Sequence, residues 1–326
     1  ATLKINRLNY SLVSVLRASV WIVDSPNTRI LAPCAIALGN FDGLHLGHKT
    51  VLQPIFQDEP AYPTVVSFTP HPREFFTGEK WQLLTPLGEK VEVLENLGVK
   101  QLVLLPFSAQ LASLTPLAFI EQVLVAKLQT KSISVGQDFR FGYRRQGTAE
   151  DLLQIASQFN IKVEIVGLKN CGAGRISSSL IRQALAAGNV EQAGQMLGRP
   201  YSLTGRVVIG QQLGRTLGFH TANLQVPPDK LLPRFGVYCG WVHLDGSRLP
   251  AVMNIGYRPT IEGKTISVEI HLLDWSGNVY DRILTMDLVQ FLRPEQKFNS
   301  LDRLKNQIEI DCDRSRLILT SVTDNS

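Results

Sequence analysis

The chain of 326 residues contains only four cysteines, and they are widely separated. Cys34, Cys171, Cys239 and Cys312 form no CxxC pair. The sequence therefore indicates neither a disulfide framework nor a cysteine zinc site. This scarcity predicts a reducing, cytoplasmic setting.

Long apolar runs and basic clusters are also missing. The longest apolar stretch near the N-terminus, residues 11–23, is interrupted by Arg17 and is too short to span a bilayer, so we expect no transmembrane segment and no membrane partner. The net charge of +5 comes from 33 basic and 28 acidic residues without a polybasic run. This balance favours an anionic small ligand and predicts no nucleic-acid partner.

The first 23 residues are open to two interpretations. They carry Lys4, Arg7 and Arg17 but no acid, which is typical of an organelle transit peptide. The alternative, which we favour, is a short strand or arm that leads into the first core strand.

The length and the apolar content of 44% suit two domains, each with its own core. Up to about residue 187, short apolar runs alternate with helical periodicity, which predicts an α/β fold with a mostly parallel sheet. The predicted strands are 34–38, 64–68, 101–105, 132–135 and 162–166, and the predicted helices are 49–56, 87–97, 116–128 and 149–159. Such sheets bind ligands beyond the carboxyl ends of their strands.

After Pro200 the pattern changes to strand-like runs separated by turn signals such as Asp245-Gly246. The runs 204–209, 236–243, 251–256, 267–272 and 283–289 predict a small antiparallel β-barrel, and 300–317 predicts a C-terminal helix. Two short helices, 178–187 and 190–197, connect the two parts. We therefore predict domains at 1–187 and 188–326.

A strand, a glycine turn and a helix start follow one another at the beginning of the first domain. Strand 34–38 runs into the sequence GNFDGLHLGH of residues 39–48. This order collects phosphate oxygens on backbone N–H groups and at the positive end of a helix dipole. His45 and His48 are three residues apart and share a face in a helical turn. Gly47 between them lets a triphosphate approach the backbone without a Cβ in the way.

A zinc site or a pair of satisfied core histidines is the alternative interpretation. Zinc needs further ligands, and the near neighbours offer only Asp42 and Cys34. The GxFDG sequence ahead of HxGH, at the end of the first parallel strand, favours nucleotide binding.

Three further segments accompany this motif: FTPHPR at 68–73, VGQDFRFG at 135–142 and ISSSLIR at 176–182. Together with HxGH they resemble the nucleotidyltransferase superfamily, and more narrowly the N-terminal module of the prokaryotic bifunctional riboflavin kinase/FMN adenylyltransferases. Ser179 replaces the usual Thr of the third signature and keeps its hydroxyl. The resemblance implies a Rossmann-like domain in which the FMN phosphate attacks the α-phosphorus of ATP directly and pyrophosphate leaves.

The resemblance also implies roles for individual residues of this site. The catalytic group is His45, His48 and Arg182, with Ser177, Ser178 and Arg182 on the β- and γ-phosphates. The remaining nucleotide and flavin contacts are Gly39, Phe41, Asp42, Gly47, Pro70, His71, Pro72, Asp138, Phe139 and Arg140, of which Asp138 lies near the ribose or metal. Plain core packing is the alternative for Phe139 and Phe141, and we favour it for Phe141.

A second group of motifs lies in the predicted barrel. Gly205, Gly210, Gly214 and Gly218 surround LGFHTAN at 217–223, and downstream stand NIGYRPT at 254–260, SVEIHLLD at 267–274 and FLRPEQKF at 291–298. Together they resemble the riboflavin kinase domain. The family's PTAN loop reads His220-Thr221-Ala222-Asn223 here, so a φ-fixing proline is missing.

This resemblance implies transfer of the ATP γ-phosphoryl group to the 5′-hydroxyl of riboflavin. Thr221 and Asn223 would hold Mg²⁺, and Glu269 would accept the hydroxyl proton. Gly210 and Gly218 would line the nucleotide site. Arg293 would contact the flavin or a flap, and an ordinary surface arginine is the alternative. For Glu269 the alternative is an outward-facing strand carboxylate.

Two other functions remain open at this point. The chain could be an FMN adenylyltransferase only, with the barrel as a non-catalytic flavin-binding or sensing module. It could also be a regulatory protein that senses flavin or nucleotide without turnover, although binding alone does not require Glu269 as a base. We expect ATP, Mg²⁺ and flavins (riboflavin, FMN and FAD) as ligands, and a monomer or weak homo-oligomer.

Overall fold

The computed structural model describes residues 20–25, 27–167, 170–171, 174–209, 219, 221–260 and 263–323. Residues 1–19 of the predicted N-terminal arm, Gly210, Gly218 and His220 lie outside these residues. The chain divides into a first unit, residues 14–178, and a second unit that includes residues 179–326. No helix in the described ranges is long and apolar enough to cross a membrane.

The first unit is built on a six-stranded sheet in which all neighbouring strands are parallel, with the order β1-β4-β3-β2-β5-β8. Its strands are β1 (Trp21–Val23), β2 (Cys34–Leu38), β3 (Tyr62–Thr69), β4 (Gln101–Pro106), β5 (Thr130–Gly136) and β8 (Lys162–Val166). The central strand β2 is buried along its whole length, as expected for a parallel strand covered on both faces. All five predicted strands are confirmed, and the edge strand β1 lies at the end of the N-terminal segment for which we favoured a short strand or arm.

Helices and short hairpins connect these strands. The helices are α1 (Leu46–Leu52), α2 (Pro72–Thr77), α3 (Leu87–Asn96), α4 (Ala109–Ala112), α5 (Pro116–Phe119) with a π-helical continuation at Ile120–Lys127, and α6 (Ala149–Ser157). The hairpins pair β6 (Arg140–Phe141) with β7 (Gly147–Thr148), and β9 (Asn170–Cys171) with β10 (Gly174–Arg175).

The predicted boundary of the first helix was wrong. The α-helix starts at Leu46, three residues earlier than predicted, and gives way to a 3₁₀ turn at Gln53–Phe56. Pro54 has no backbone N–H to donate to the helix, which explains the change of geometry.

Helix α7 (Ser178–Ala187) starts at the last residue of the first unit, and its other residues belong to the second unit, which continues with α8 (Val190–Leu197) and a closed barrel. Its strands are β11 (Tyr201–Val208), β12 (Thr221–Gln225), β13 (Gly236–Leu244), β14 (Ser247–Thr260), β15 (Gly263–Leu272) and β16 (Ile283–Arg293), in the order β11-β12-β15-β14-β13-β16. All pairs are antiparallel. The predicted barrel is confirmed, with β12 as a strand where the sequence suggested only a motif.

The tight turn between β13 and β14 follows directly from its sequence. Asp245 and Gly246 form a two-residue loop, and both have positive φ, 51° and 78°. A type I′ turn needs this backbone conformation, and its twist matches that of the paired strands.

The C-terminal helix α9 (Leu301–Thr323) is attached to the barrel by a buried ion pair. The Arg293 guanidinium at the end of β16 donates from both Nε and Nη2 to Asp311, at 3.0 and 2.7 Å to Oδ2. The side chains are only 15% and 6% exposed. Gln307 donates a further bond to Asp311 at 3.1 Å.

Asp311→Ala tests this attachment. The substitution leaves the buried Arg293 charge without its partner, so we expect a loss of about 3–5 kcal/mol in the stability of the second unit. Urea unfolding with a probe in the barrel measures this loss. Asp313→Ala, which removes an exposed carboxylate on the same helix, is the control and should change stability by about 0.5 kcal/mol or less.

Candidate active sites

The two motif histidines are stacked on each other at the start of α1. His45 is the N-cap of the helix, and its Nδ1 accepts a hydrogen bond from the His48 backbone N–H at 3.1 Å. The imidazole centroids are 3.6 Å apart with an interplanar angle of 14°. Phe41 also contacts His48, in an edge-to-face arrangement with ring centroids 5.2 Å apart. The helix cap therefore fixes the relative orientation of the two rings.

Gly47 lies against a motif histidine, and the predicted approach of a triphosphate to it stays a prediction. A Cβ at this position would lie 3.1 Å from Cε1 and 3.2 Å from Nδ1 of His45. The absence of a side chain at Gly47 therefore makes room for the His45 imidazole. Gly39 is similarly placed, because its Cβ would lie 3.3 Å from the Phe41 ring.

His48 is electrically neutral at pH 7. Burial lowers the pKa of His48 well below its ordinary value of 6.5, and the charges of His45 and Lys90 lower it further. Its Nδ1 atom is buried and has no hydrogen-bond partner among the described residues. A neutral ring with an unpaired buried nitrogen can gain a proton, and with it a positive charge, when an anion is placed next to it.

Asp42 links the glycine turn after β2 to two other segments of the first unit. It is 4% exposed, and its Oδ1 accepts hydrogen bonds from the backbone N–H groups of Leu84 at 2.8 Å and Thr85 at 3.3 Å. Its own carbonyl accepts a bond from the Ser178 hydroxyl at 2.7 Å. These bonds give Asp42 a structural role, and its predicted nucleotide contact stays a prediction.

The segment after β3 is organised around Trp81. His71 caps α2 by accepting a hydrogen bond from the Arg73 backbone N–H at 3.2 Å. Its ring stacks on Trp81 with centroids 5.5 Å apart, and the Arg73 guanidinium lies 4.2 Å above the same indole. Pro70 precedes this cap and is exposed, and Pro72 is the first residue of α2.

The predicted contacts after β5 are divided between surface and core. Asp138 forms an exposed ion pair with Arg175, and Arg140 is exposed. Phe139 packs against the core and stacks on Phe141, which is 7% exposed. The core interpretation of Phe141 is thus confirmed. Phe139 shares that packing, which gives its predicted ligand contact no support.

Helix α7 begins with the predicted serine signature. Ser178 is its first residue, and Arg182 lies four residues later, so the two share a helix face. Ser177 and Arg182 are both half-buried.

In the barrel, strand pairing aligns three predicted residues on one face. Thr221 and Asn223 of β12 pair with His271 and Glu269 of β15. All four are half-buried, whereas Ala222, Val268 and Ile270 between them are buried. Glu269 accepts a hydrogen bond from the Ser267 hydroxyl at 3.0 Å.

A further polar residue, which the sequence analysis named only as part of the 254–260 motif, extends this row. Asn254 of β14 pairs with Glu269 from the other side. Three polar side chains, Asn223, Glu269 and Asn254, therefore stand at the same level on adjacent strands. Only the strand register reveals this, because Asn254 is distant in sequence.

Arg293 is held by residues of the protein itself, and its predicted flavin or flap contact stays a prediction. Its guanidinium is held by Asp311 and by the Pro294 carbonyl at 3.1 Å. It attaches α9 to β16, so this geometry gives no support to a flavin contact or to a free surface arginine.

Lys90 is a second residue that the sequence analysis missed. It is 7% exposed, and burial lowers its pKa while the charge of Asp42 opposes that effect. The available signal was its place in the apolar stripe of α3 with Leu87, Val91 and Leu94. No group of three His, Cys, Asp or Glu residues suited to a metal ion is found within the described ranges.

The low pKa of His48 predicts a specific pH dependence of stability. Below about pH 6.5 the unfolded chain binds a proton at this residue and the folded chain does not, so stability falls by about 1.4 kcal/mol per pH unit until the folded pKa is reached. Thermal unfolding of the wild type and of His48→Asn between pH 7.5 and 5.5 measures this. The variant should lose less stability at low pH, and equal losses would contradict the prediction.

Comparison with known proteins identifies both units. The FAD synthetase family model matches residues 27–180, and the riboflavin kinase family model matches residues 197–319. The chain is 40% identical over 298 residues to a bifunctional riboflavin kinase/FMN adenylyltransferase from Haemophilus influenzae, covering 90% of this chain and 96% of the relative. It is 39% identical over 289 residues to the protein of the same name from Pseudomonas fluorescens, covering 87% and 93%.

A solved structure from Streptococcus pneumoniae, described as a macrolide-efflux protein, is 30% identical with a TM-score of 0.81. The match covers 91% of this chain and 99% of that one. With both family models matched in order and relatives aligned over nearly their whole length, the chain belongs to the bifunctional riboflavin kinase/FMN adenylyltransferase family.

Proposed function

We propose that the first unit adenylylates FMN at the stacked histidines and that the barrel phosphorylates riboflavin at the Asn223–Glu269 row. As a member of its family, the chain makes FMN from riboflavin and FAD from FMN, with ATP and Mg²⁺. The assignment of residues to these reactions is our proposal. The observation that carries it is the fixed His45–His48 pair at the helix start that follows β2.

The position of β2 in the sheet supports the adenylyltransferase assignment. The connections from β2 run to β3 and β4 on one side, whereas β5 and β8 lie on the other side. Ligands of open parallel sheets bind at this kind of switch point, beyond the carboxyl ends of the strands. The predicted segments at 39–48 and 135–142 follow the two neighbouring strands β2 and β5.

In the adenylyl transfer, an oxygen of the FMN phosphate forms a bond to the α-phosphorus of ATP, and the bond to the β-phosphate oxygen breaks. No covalent bond to the protein is needed, so the side chains act by positioning and by charge stabilisation. We assign His45 and His48 to the phosphates, and Ser177, Ser178 and Arg182 to the departing pyrophosphate. The other predicted contacts, from Gly39 to Arg140, stay predictions around this centre.

In the kinase reaction, the riboflavin 5′-hydroxyl oxygen forms a bond to the γ-phosphorus and ADP leaves. We assign Glu269 as the base that takes the hydroxyl proton. The Thr221 hydroxyl and the Asn223 amide offer hard oxygens on one face, which fit Mg²⁺. Mg²⁺ neutralises phosphate charge when it is bound. His220 replaces the family's proline, but Thr221 and Asn223 are both retained.

We propose the division of functions between α7 and α8, at residue 187, because the two family models leave residues 181–196 unmatched. We further propose a cytoplasmic monomer or weak homo-oligomer that acts on small molecules and binds neither nucleic acid nor membrane. Three described cysteines, Cys34, Cys239 and Cys312, are free and buried, which suits a reducing compartment.

Two single substitutions test the division of labour. We expect His48→Ala to abolish FAD formation from FMN while FMN formation from riboflavin continues, because only the first site loses a phosphate contact. We expect Glu269→Ala to abolish FMN formation from riboflavin while FAD formation from supplied FMN continues. Chromatography of the products of two separate reactions of each purified variant, one supplied with riboflavin and one with FMN, measures both activities.

The same assay separates the competing functions. A wild-type chain that makes FAD from FMN but no FMN from riboflavin would leave only the adenylyltransferase reading. If His48→Ala still formed FAD at the wild-type rate, the assignment of the first site would be wrong.

Gly47→Ala tests the packing of the histidine pair. The new methyl group would press on the His45 ring, which either rotates or moves away from His48. We expect FAD formation to fall at least tenfold, which is about 1.4 kcal/mol, with FMN formation unchanged. Gly167→Ala, whose Cβ has one ordinary contact at 3.8 Å, is the matched control, and an equal loss there would contradict this explanation.

A further inference from the structure

A buried ammonium group lies directly behind the glycine turn that follows β2. Lys90 Nζ, on α3, donates to the Asn40 carbonyl at 3.1 Å and lies 3.5 Å from the Ser67 hydroxyl at the end of β3. Ser67 itself donates to the same carbonyl at 2.9 Å. Burying a lysine ammonium costs free energy unless the charge is hydrogen-bonded or paired. Here the ammonium and the Ser67 hydroxyl both donate to one backbone oxygen.

Anchoring this carbonyl also orients the next amide. The Asn40–Phe41 peptide is trans, and in a trans peptide plane the C=O and N–H bonds point in opposite directions. A carbonyl held against Lys90 and Ser67 therefore directs the Phe41 N–H to the other side of the turn. Within the described part of the chain no hydrogen bond of that N–H is recorded.

The backbone of the turn agrees with this use. Phe41 has φ 47° and Leu44 has φ 44°, both in the left-handed region that non-glycine residues seldom adopt. A turn of this kind can present a backbone N–H to an anion, and here the Phe41 N–H is the one concerned, because the Gly43 N–H already donates to the Thr85 hydroxyl at 2.9 Å. An anchor on the opposite side keeps the strained turn in one conformation.

We propose that Lys90 is a positioning residue for adenylyl transfer: by holding the Asn40 carbonyl, it fixes the Phe41 N–H as a donor to the α-phosphate of ATP. This inference rests on the proposed assignment of the first site. Lys90 does not touch the substrate and acts through one peptide plane. Burial lowers the pKa of His48, and the charges of His45 and Lys90 lower it further; burial also lowers the pKa of Lys90, and the charge of Asp42 opposes that effect.

The test is Lys90→Met, which keeps the length of the side chain and removes its charge. We expect the kcat of FAD formation to fall at least tenfold, with the FMN-forming rate of the same polypeptide unchanged. Lys100→Met, at an exposed lysine before β4, is the matched control and should leave both rates unchanged.

A loss of folded protein could also lower kcat, so a second readout does not depend on the active fraction. We expect one diastereomer of ATPαS, with sulfur on the α-phosphorus, to react more slowly than ATP in the wild type because the Phe41 N–H loses its oxygen acceptor. The ratio of the rate with ATP to the rate with this diastereomer should be at least threefold smaller in Lys90→Met than in the wild type. An unchanged ratio would overturn the proposal even if kcat fell.

Should Lys90→Met not fold, Ser67→Ala decides the question, because it removes the other donor to the Asn40 carbonyl and retains the charge. The proposal requires a smaller ATPαS ratio in that variant, and a wild-type ratio overturns it. His48→Ala separates the two levels of inference. If His48→Ala retains FAD formation, the site assignment fails, whereas loss there with wild-type behaviour of Lys90→Met rejects only the role of Lys90.

Discussion

The parallel pairing of β2 with β5 is the constraint on which the first site depends. The sheet is built outward from this pair in two directions, so the segments after both strands leave the sheet at the same edge, beyond the carboxyl ends of the strands. One of these segments begins α1, where His45 caps the helix and stacks on His48. The cap satisfies an orphan N–H of the helix and fixes a ring in the same bond. Helix capping therefore fixes a ring to which we have assigned a phosphate contact.

Closure of the barrel imposes a comparable constraint on the second unit. Because β15 lies between β12 and β14, residues from three separate strands stand at one level: Asn223, Glu269 and Asn254. Alternation places Val268 and Ile270 in the interior and leaves Glu269 between them on the opposite face. This position on the strand is compatible with both interpretations of Glu269, an outward-facing carboxylate and the proposed base. What distinguishes them is the polar row around Glu269.

Much of this could be predicted from the sequence. The strands at 34–38 and 162–166 and the helices at 178–187 and 190–197 have the predicted bounds, because strong periodicity and clear breakers mark them. The functions of the two units followed from motifs in family order. The predicted roles of individual side chains stay predictions, and the structure shows how these side chains are packed: Gly47 accommodates His45, Asp42 accepts a hydrogen bond from Leu84, and Arg293 pairs with Asp311. A motif reports which residue is present, but many packing contacts can use the same residue.

The sequence by itself determined the fold class of each unit, the order of the two activities and the chemistry-bearing segments, since these depend on local periodicity and on short motifs. Only the tertiary structure decided which of those residues meet. The anchoring of the Asn40 carbonyl by Lys90, fifty residues away, and the Asn254–Glu269 pairing both depend on strand order and helix placement. Such contacts join segments that carry no mutual signal in one sequence, because the chain reports spacing along itself and not distance through space.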